Sequence, residues 1–230
     1  MPRISEKIES VQTRLLNAAQ YAELPLLLAV SKTRSADDIQ EAATCGLIHF
    51  GENYLQEALP KIAALKNLHL VWHFIGSIQS NKTTDIANHF DWVHTVDREK
   101  IARRLSEQRP ETLPDLNLLI QINIDTEDSK SGVRVEDLST LAEAISSLPR
   151  VKLRGLMAIP KPRTDYAEQL AVCQRVRTEF ERLQQLYPEI DTLSLGMSAD
   201  LEAAIEAGSN LVRIGTDIFG ARPAHNQAEN

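Results

Sequence analysis

Short, almost unbroken apolar runs alternate with longer amphipathic ones along nearly the whole chain. The runs Leu26–Lys32, Leu47–Asn53, Leu70–Gly76, Trp92–Asp97, Asn117–Ile124, Val151–Ile159, Thr192–Ser198 and Leu211–Gly220 predict strands. They lack strict alternation, as expected for a parallel sheet whose two faces are both covered. Between them, Ser35–Cys45, Leu55–Leu65, Glu136–Ser147 and Tyr166–Tyr187 carry helical periodicity, and a helix over about Ile4–Tyr21 precedes the first strand. A further helix, Ala199–Ala207, is closed by Gly208, a residue suited to the turn just past a helix end.

Roughly eight β-then-α units predict a single domain over residues 1–230: a (β/α)8 barrel at about 24–222, with an additional N-terminal helix. The competing architecture is an open doubly wound sheet, which calls for a glycine-rich phosphate loop after its first strand. Here that strand runs into Ser31-Lys32-Thr33-Arg34, with no glycine. Two polar or proline-rich stretches, Asp125–Arg134 and Pro160-Lys161-Pro162, are expected loops, and residues 223–230 a frayed polar tail.

Composition narrows the function classes. The net charge of −7 and the pI near 5.4 give no basic footprint for nucleic acid. Cys45 and Cys173 are too few for a disulfide framework and suit a reducing cytoplasm. The amino terminus has no signal-peptide core, and no apolar stretch approaches the ~18 residues of a membrane span. The expectation is a cytoplasmic protein bound to neither membrane nor nucleic acid.

Lys32 closes the apolar run Leu26–Lys32, placing an ammonium group at the carboxyl end of a buried strand. A desolvated lysine gives up its proton readily and becomes an amine fit for a Schiff base; a lysine at a strand end also commonly snorkels into solvent. In a barrel the working face lies at the strand carboxyl ends, and phosphate sites favour the last two loops. Ser198 ends the seventh predicted strand and starts a helix whose free N–H groups favour an anion. In the eighth, alternation turns Arg213 and Gly215 inward, and Gly215 with Thr216 would let backbone N–H groups approach a phosphate. Ser198 as a helix cap, Gly215 as a packing glycine, and Arg213 paired to Glu52 or Asp217 are the structural alternatives.

Other chemistry is weaker. His69 and His73 are four apart, about 13 Å along a strand, too far to share one ion. His73 is a pocket residue or a satisfied core histidine. Lys82 and Lys130 rival Lys32, but both fall in loops or helix starts where water keeps an amine protonated. No Walker loop, Cys-x-x-Cys, H-E-x-x-H or G-x-S-x-G occurs.

Several stretches together resemble one family. They are Ala29–Thr33, Phe50–Glu57, Trp72–Gly76 with Gln79–Lys82, Ser129–Gly132, Arg154–Met157, Leu195–Asp200 and Val212–Gly220. In this order, and over nearly the whole length, they are similar to the pyridoxal phosphate homeostasis protein family. Between Gly76 and Gln79, Ser77-Ile78 departs from many members, which carry a proline or other residue followed by leucine. The resemblance implies a barrel like the amino-terminal domain of alanine racemase, with pyridoxal 5′-phosphate joined to Lys32 as a Schiff base. It also implies phosphate contacts from Ser198, Gly215 and Thr216, Arg213 beside the pyridine nitrogen, and Asn53 and Met197 as pocket lining.

An arginine at the ring nitrogen leaves that nitrogen unprotonated and the ring a weak electron sink. Racemisation also needs a second acid or base, which in alanine racemase comes from an additional domain of a partner subunit; the sequence after Gly220 is too short for one. Tyr54 is the nearest candidate substitute. The expected function is therefore a protein that holds and releases pyridoxal phosphate, affecting vitamin B6 and amino-acid pools. The expected state is a monomer, with transient contact to apo-enzymes and a conceivable second cofactor site near Lys82 or Lys130. A small amino-acid racemase is the first alternative, and a Schiff-base aldolase of phosphorylated sugars the second.

Overall fold

A computed structural model describes residues 3–19, 23–125 and 131–221. Eight parallel strands close on themselves in sequence order: β1 (Leu26–Val30), β2 (His49–Glu52), β3 (Val71–Phe74), β4 (Trp92–Val96), β5 (Leu116–Ile122), β6 (Val151–Ala158), β7 (Thr192–Ser194) and β8 (Leu211–Ile214). Closure comes from β8 pairing with β1 in the register Leu26↔Leu211 to Ala29↔Ile214. The helices are α1 (Ile4–Ala18), α2 (Ala36–Thr44), α3 (Leu55–Ala64), α4 (Thr83–His89), α5 (Glu99–Gln108), α6 (Leu138–Ser146), α7 (Tyr166–Leu186), α8 (Leu201–Glu206) and α9 (Thr216–Phe219). The expected (β/α)8 barrel with a preceding helix is what forms.

The strands exist because their apolar side chains are covered on both faces: every residue of β7 and β8 is buried, and in β5 all but Asn117. The helix α1 buries Ile8, Val11 and Leu15, one stripe at helical spacing, and packs against α9, α8 and α2. It thus lies beside the last two β–α connections rather than under the barrel. Among the described residues no helix is long and apolar enough to cross a membrane.

Element ends differ from the pattern reading at the carboxyl rim. The expected strands Thr192–Ser198 and Leu211–Gly220 stop at Ser194 and Ile214, and Thr216–Phe219 is a short helix. The expected helix Ala199–Ala207 begins only at Leu201, because Asp200 Oδ1 accepts the Met197 N–H (2.7 Å) and holds residues 197–200 as a turn. Ser198 therefore does not cap the helix, whose N-cap residue is Asp200. The predicted tail at 223–230, Lys130 and the rest of 126–130, half of the predicted loop Asp125–Arg134, lie outside the described residues.

Candidate functional site

The connections leaving β1, β2, β7 and β8 converge on a cavity of about 280 Å3 at the carboxyl mouth of the barrel. All seven residues singled out from the sequence border it: Lys32, Asn53, Met197, Ser198, Arg213, Gly215 and Thr216. The remaining walls, Val30, Ile75, Met157, Ile159 and Ala199, are apolar. Among the described residues, Lys32 and Arg213 are the only ionisable groups on this surface. Both are cations in their ordinary state, so an anionic ligand matches the cavity.

Lys32 lies two residues beyond β1 and is half-buried. Arg213, the third residue of β8, is 4% exposed and points into the barrel. Its guanidinium donates to Ser194 O (2.8 Å), Ser194 Oγ (2.7 Å) and Ala158 O (2.9 Å). Burial pushes its pKa down to about 10, partly opposed by Asp200, so it stays protonated at neutral pH. The alternative partners are engaged elsewhere: Glu52 with Lys61 (2.9 Å) and Asp217 with Arg14 (2.7 Å). The acceptors that hold Arg213 are thus neutral oxygens, and its positive charge remains available to the cavity.

Two close approaches shape the walls. A Cβ on Gly76 would sit 2.0 Å from Asn53 O, so only glycine lets the end of the third β–α unit close over the Asn53 backbone. A Cβ on Gly215 would meet Val30 O and Cβ at 3.3 Å, so this glycine also serves packing against β1. From the side, Arg14 of α1 ties the two last connections together. It donates to Ser198 O (3.0 Å) and pairs with Asp217 (2.7 Å) and Glu202 (2.9 Å). Asp217 and Glu202 are thereby turned away from the cavity.

Below Arg213 runs a column of histidines. His49 Nδ1 lies 3.0 Å from His73 Nε2, His73 Nδ1 is 2.9 Å from His94 Nε2, and His94 Nδ1 is 3.2 Å from Ser194 Oγ. The links close in either direction: with every proton on Nε2, Ser194 donates to His94, and with every proton on Nδ1, Ser194 accepts from both His94 and Arg213. Burial holds His73 and His94 well below the ordinary histidine range; for His94 the Arg213 charge adds to it, and for His73 its two histidine neighbours. His73 is therefore a satisfied core histidine, bonded to His49 and His94 rather than to His69. Among the described residues no group of three histidine, cysteine or acidic side chains is placed to hold a metal ion.

Lys82 and Tyr54 border a neighbouring cavity of about 330 Å3 that shares Asn53 with the first. Tyr54 is 53% exposed and is not on the Lys32 surface. Arg14, Ser194 and the histidine column were not visible as a set in the sequence. An inward histidine on each of three consecutive strands was the available signal.

A sequence profile of the alanine racemase N-terminal domain matches residues 7–223. The pyridoxal phosphate homeostasis protein of Pseudomonas aeruginosa is 57% identical over 226 residues, covering 96% of this chain and 97% of that protein. The chain belongs to the pyridoxal phosphate homeostasis protein family. Its counterpart in Escherichia coli (strain K12) is 52% identical over 225 residues, covering 96% and 95% of the two chains. The structure of PipY of Synechococcus elongatus PCC7942 with PLP bound superposes with a TM-score of 0.84 at 36% identity, covering 95% of this chain and all of that one.

Proposed function

We propose that this protein binds pyridoxal 5′-phosphate covalently at Lys32 and releases it again, serving intracellular homeostasis of the cofactor rather than turnover of a substrate. The observation that carries the reading is the make-up of the cavity wall. One amine and one guanidinium border the same cavity among largely apolar walls, without a carboxylate among the described residues. Support also comes from relatives named for pyridoxal phosphate homeostasis and from a related structure holding PLP.

The residues present fit the group. Asn53 Oδ1 is buried and has no hydrogen-bond partner, leaving an acceptor aimed at a polar ligand. The first N–H groups of α9, at Thr216 and Asp217, have no intrahelical acceptor. When bound, pyridoxal phosphate supplies an aldehyde that condenses with a primary amine, releasing water. Lys32 provides that amine. Ser198 and Thr216 offer hydroxyls and Gly215 a backbone N–H to the phosphate, while Met197 and the apolar walls offer contact to the ring. Arg213, donor-only and protonated, serves the ring nitrogen and leaves it unprotonated, which weakens the ring as an electron sink.

Racemisation would need a second proton donor or acceptor on the far side of the substrate. No tyrosine, histidine or acid borders the Lys32 cavity among the described residues, and Tyr54 faces the neighbouring one. Holding without turnover follows from this wall. The same reading places the protein in the cytoplasm as a monomer that passes its cofactor to apo-enzymes by transient contact. Following the α-proton of several amino acids in D2O with the loaded protein tests it: no catalytic exchange is expected, and multiple turnovers would establish a racemase instead.

Ser198→Ala is expected to weaken pyridoxal phosphate binding by about 0.5–1.5 kcal/mol, the net worth of one ordinary hydrogen bond. Titration followed by the visible absorbance of the bound cofactor checks this. An unchanged dissociation constant would remove Ser198 from the phosphate contacts.

A further inference from the structure

Thr33, the residue after Lys32, has φ +62°. A β-branched residue in the left-handed region is a genuine outlier. Asparagine or aspartate can favour this conformation through a local side-chain hydrogen bond, but Thr33 Oγ1 is buried without a partner. The conformation belongs to a turn closed by the Arg34 N–H on Ser31 O (3.1 Å), whose third residue is Thr33; with a β-branched residue there, such backbone persists only where its surroundings over-determine it.

Beyond that turn bond the surroundings include three charged side chains, Glu52, Glu57 and Lys61, none of which borders the Lys32 cavity. Glu57 Oε2 accepts the Thr33 N–H at 2.8 Å. On the other side of Lys32, Ser31 is held three ways: its N–H by Gly51 O (2.9 Å), its hydroxyl by Glu52 Oε1 (2.6 Å) and its carbonyl by Lys61 Nζ (3.0 Å). Lys61 also donates to Glu52 Oε1 (2.9 Å) and lies 3.8 Å from Glu57, one helical turn before it on α3. Glu52 is fully buried and Lys61 is 8% exposed. Burial raises the Glu52 pKa against the opposing pull of Ser31 and Lys61, a desolvation cost that an ordinary loop anchor would not need. The backbone on either side of Lys32 is thus bolted to one cluster made by β2 and α3.

Resting on the assignment of Lys32 as the amine that bonds the cofactor, we propose that Glu57, supported by the Glu52–Lys61 pair, is a positioning residue. It holds Thr33 left-handed and so aims the Lys32 amine into the cavity. The strain sits next to the nucleophile because a relaxed Thr33 would swing the lysine stem out of line with the phosphate contacts of the β7 and β8 connections. Misplacement of a reacting group by about 1 Å can cost up to 10²-fold in rate.

The test separates capture from simple binding. Glu57 is a half-exposed side chain on a helix that tolerates alanine, so Glu57→Ala is the variant of choice. Its rate of adduct formation with pyridoxal phosphate is measured by stopped-flow absorbance. Binding of pyridoxine 5′-phosphate, which carries an alcohol in place of the aldehyde, is measured by calorimetry. Capture is expected to slow about tenfold or more, with the analogue's dissociation constant changed less than about twofold. Adding Thr33→Gly, which adopts positive φ without strain, is expected to restore most of the lost rate. An unchanged rate in Glu57→Ala, equal losses of capture and analogue binding, or no recovery with glycine would overturn the positioning role. Failure of the underlying assignment shows separately, as a wild-type protein whose borohydride-fixed adduct maps away from Lys32.

Discussion

In the Lys32→Ala variant the covalent adduct is expected to vanish while part of the noncovalent affinity survives. The cavity divides its work between two sides: the amine comes from the β1 connection, and the anion contacts from the β7 and β8 connections. Truncating Lys32 leaves the Arg14 tie between Ser198 and Asp217 in place, so the phosphate side stays assembled. Retention should nonetheless fall by at least about tenfold, or ~1.4 kcal/mol, once the bond is lost. Dialysis of loaded protein followed by absorbance reads both effects. Undiminished visible absorbance from an intact adduct would transfer the linkage to another lysine, with Lys82 in the adjoining cavity the first to examine.

Acidification is expected to cost stability through the histidine column. His73 and His94 have pKa values driven well below the ordinary range by burial. Above about pH 6.5 both are neutral in the folded and unfolded states and contribute no pH dependence. Below it the unfolded chain takes up protons that the native barrel refuses, so stability falls as the pH falls. Each group contributes about 1.4 kcal/mol per pH unit until its folded pKa is reached. With two such groups the fall is steeper than with either alone. His49, lowered by burial against the attraction of Asp91, adds in the same direction. Glu52 and Asp91, raised by burial, oppose the trend in their own acidic range. Urea denaturation at pH 7.5 and 5.5 measures the difference, and a flat stability across that interval would mean that the column is charged in the native protein.

The barrel was legible because near-continuous apolar runs at regular spacing have few other homes than a covered parallel sheet. The site was legible because Lys32 and Ser198 end such runs, Gly215 turns inward within the last one, and the ends of neighbouring parallel strands meet at one rim. The short helix Thr216–Phe219 was not, since its apolar residues continue the pattern of β8 and the break at Gly215 is conformational. Asp200 could not be foreseen as a turn anchor, because a side chain that bonds Met197 N and one that caps a helix look alike in sequence. The histidine column escaped for a different reason. His49, His73 and His94 are more than twenty residues apart along the chain and become neighbours only through parallel strand register. The left-handed Thr33 left no trace in composition, since threonine is not a residue that announces positive φ.

Borohydride reduction of the pyridoxal-phosphate-loaded protein, followed by proteolysis and peptide mass mapping, tests the central assignment most directly. A single phosphopyridoxyl group on the peptide containing Lys32 is the result that follows from this cavity. A modification confined to Lys82, Lys130 or another lysine, with Lys32 unmodified, would contradict it.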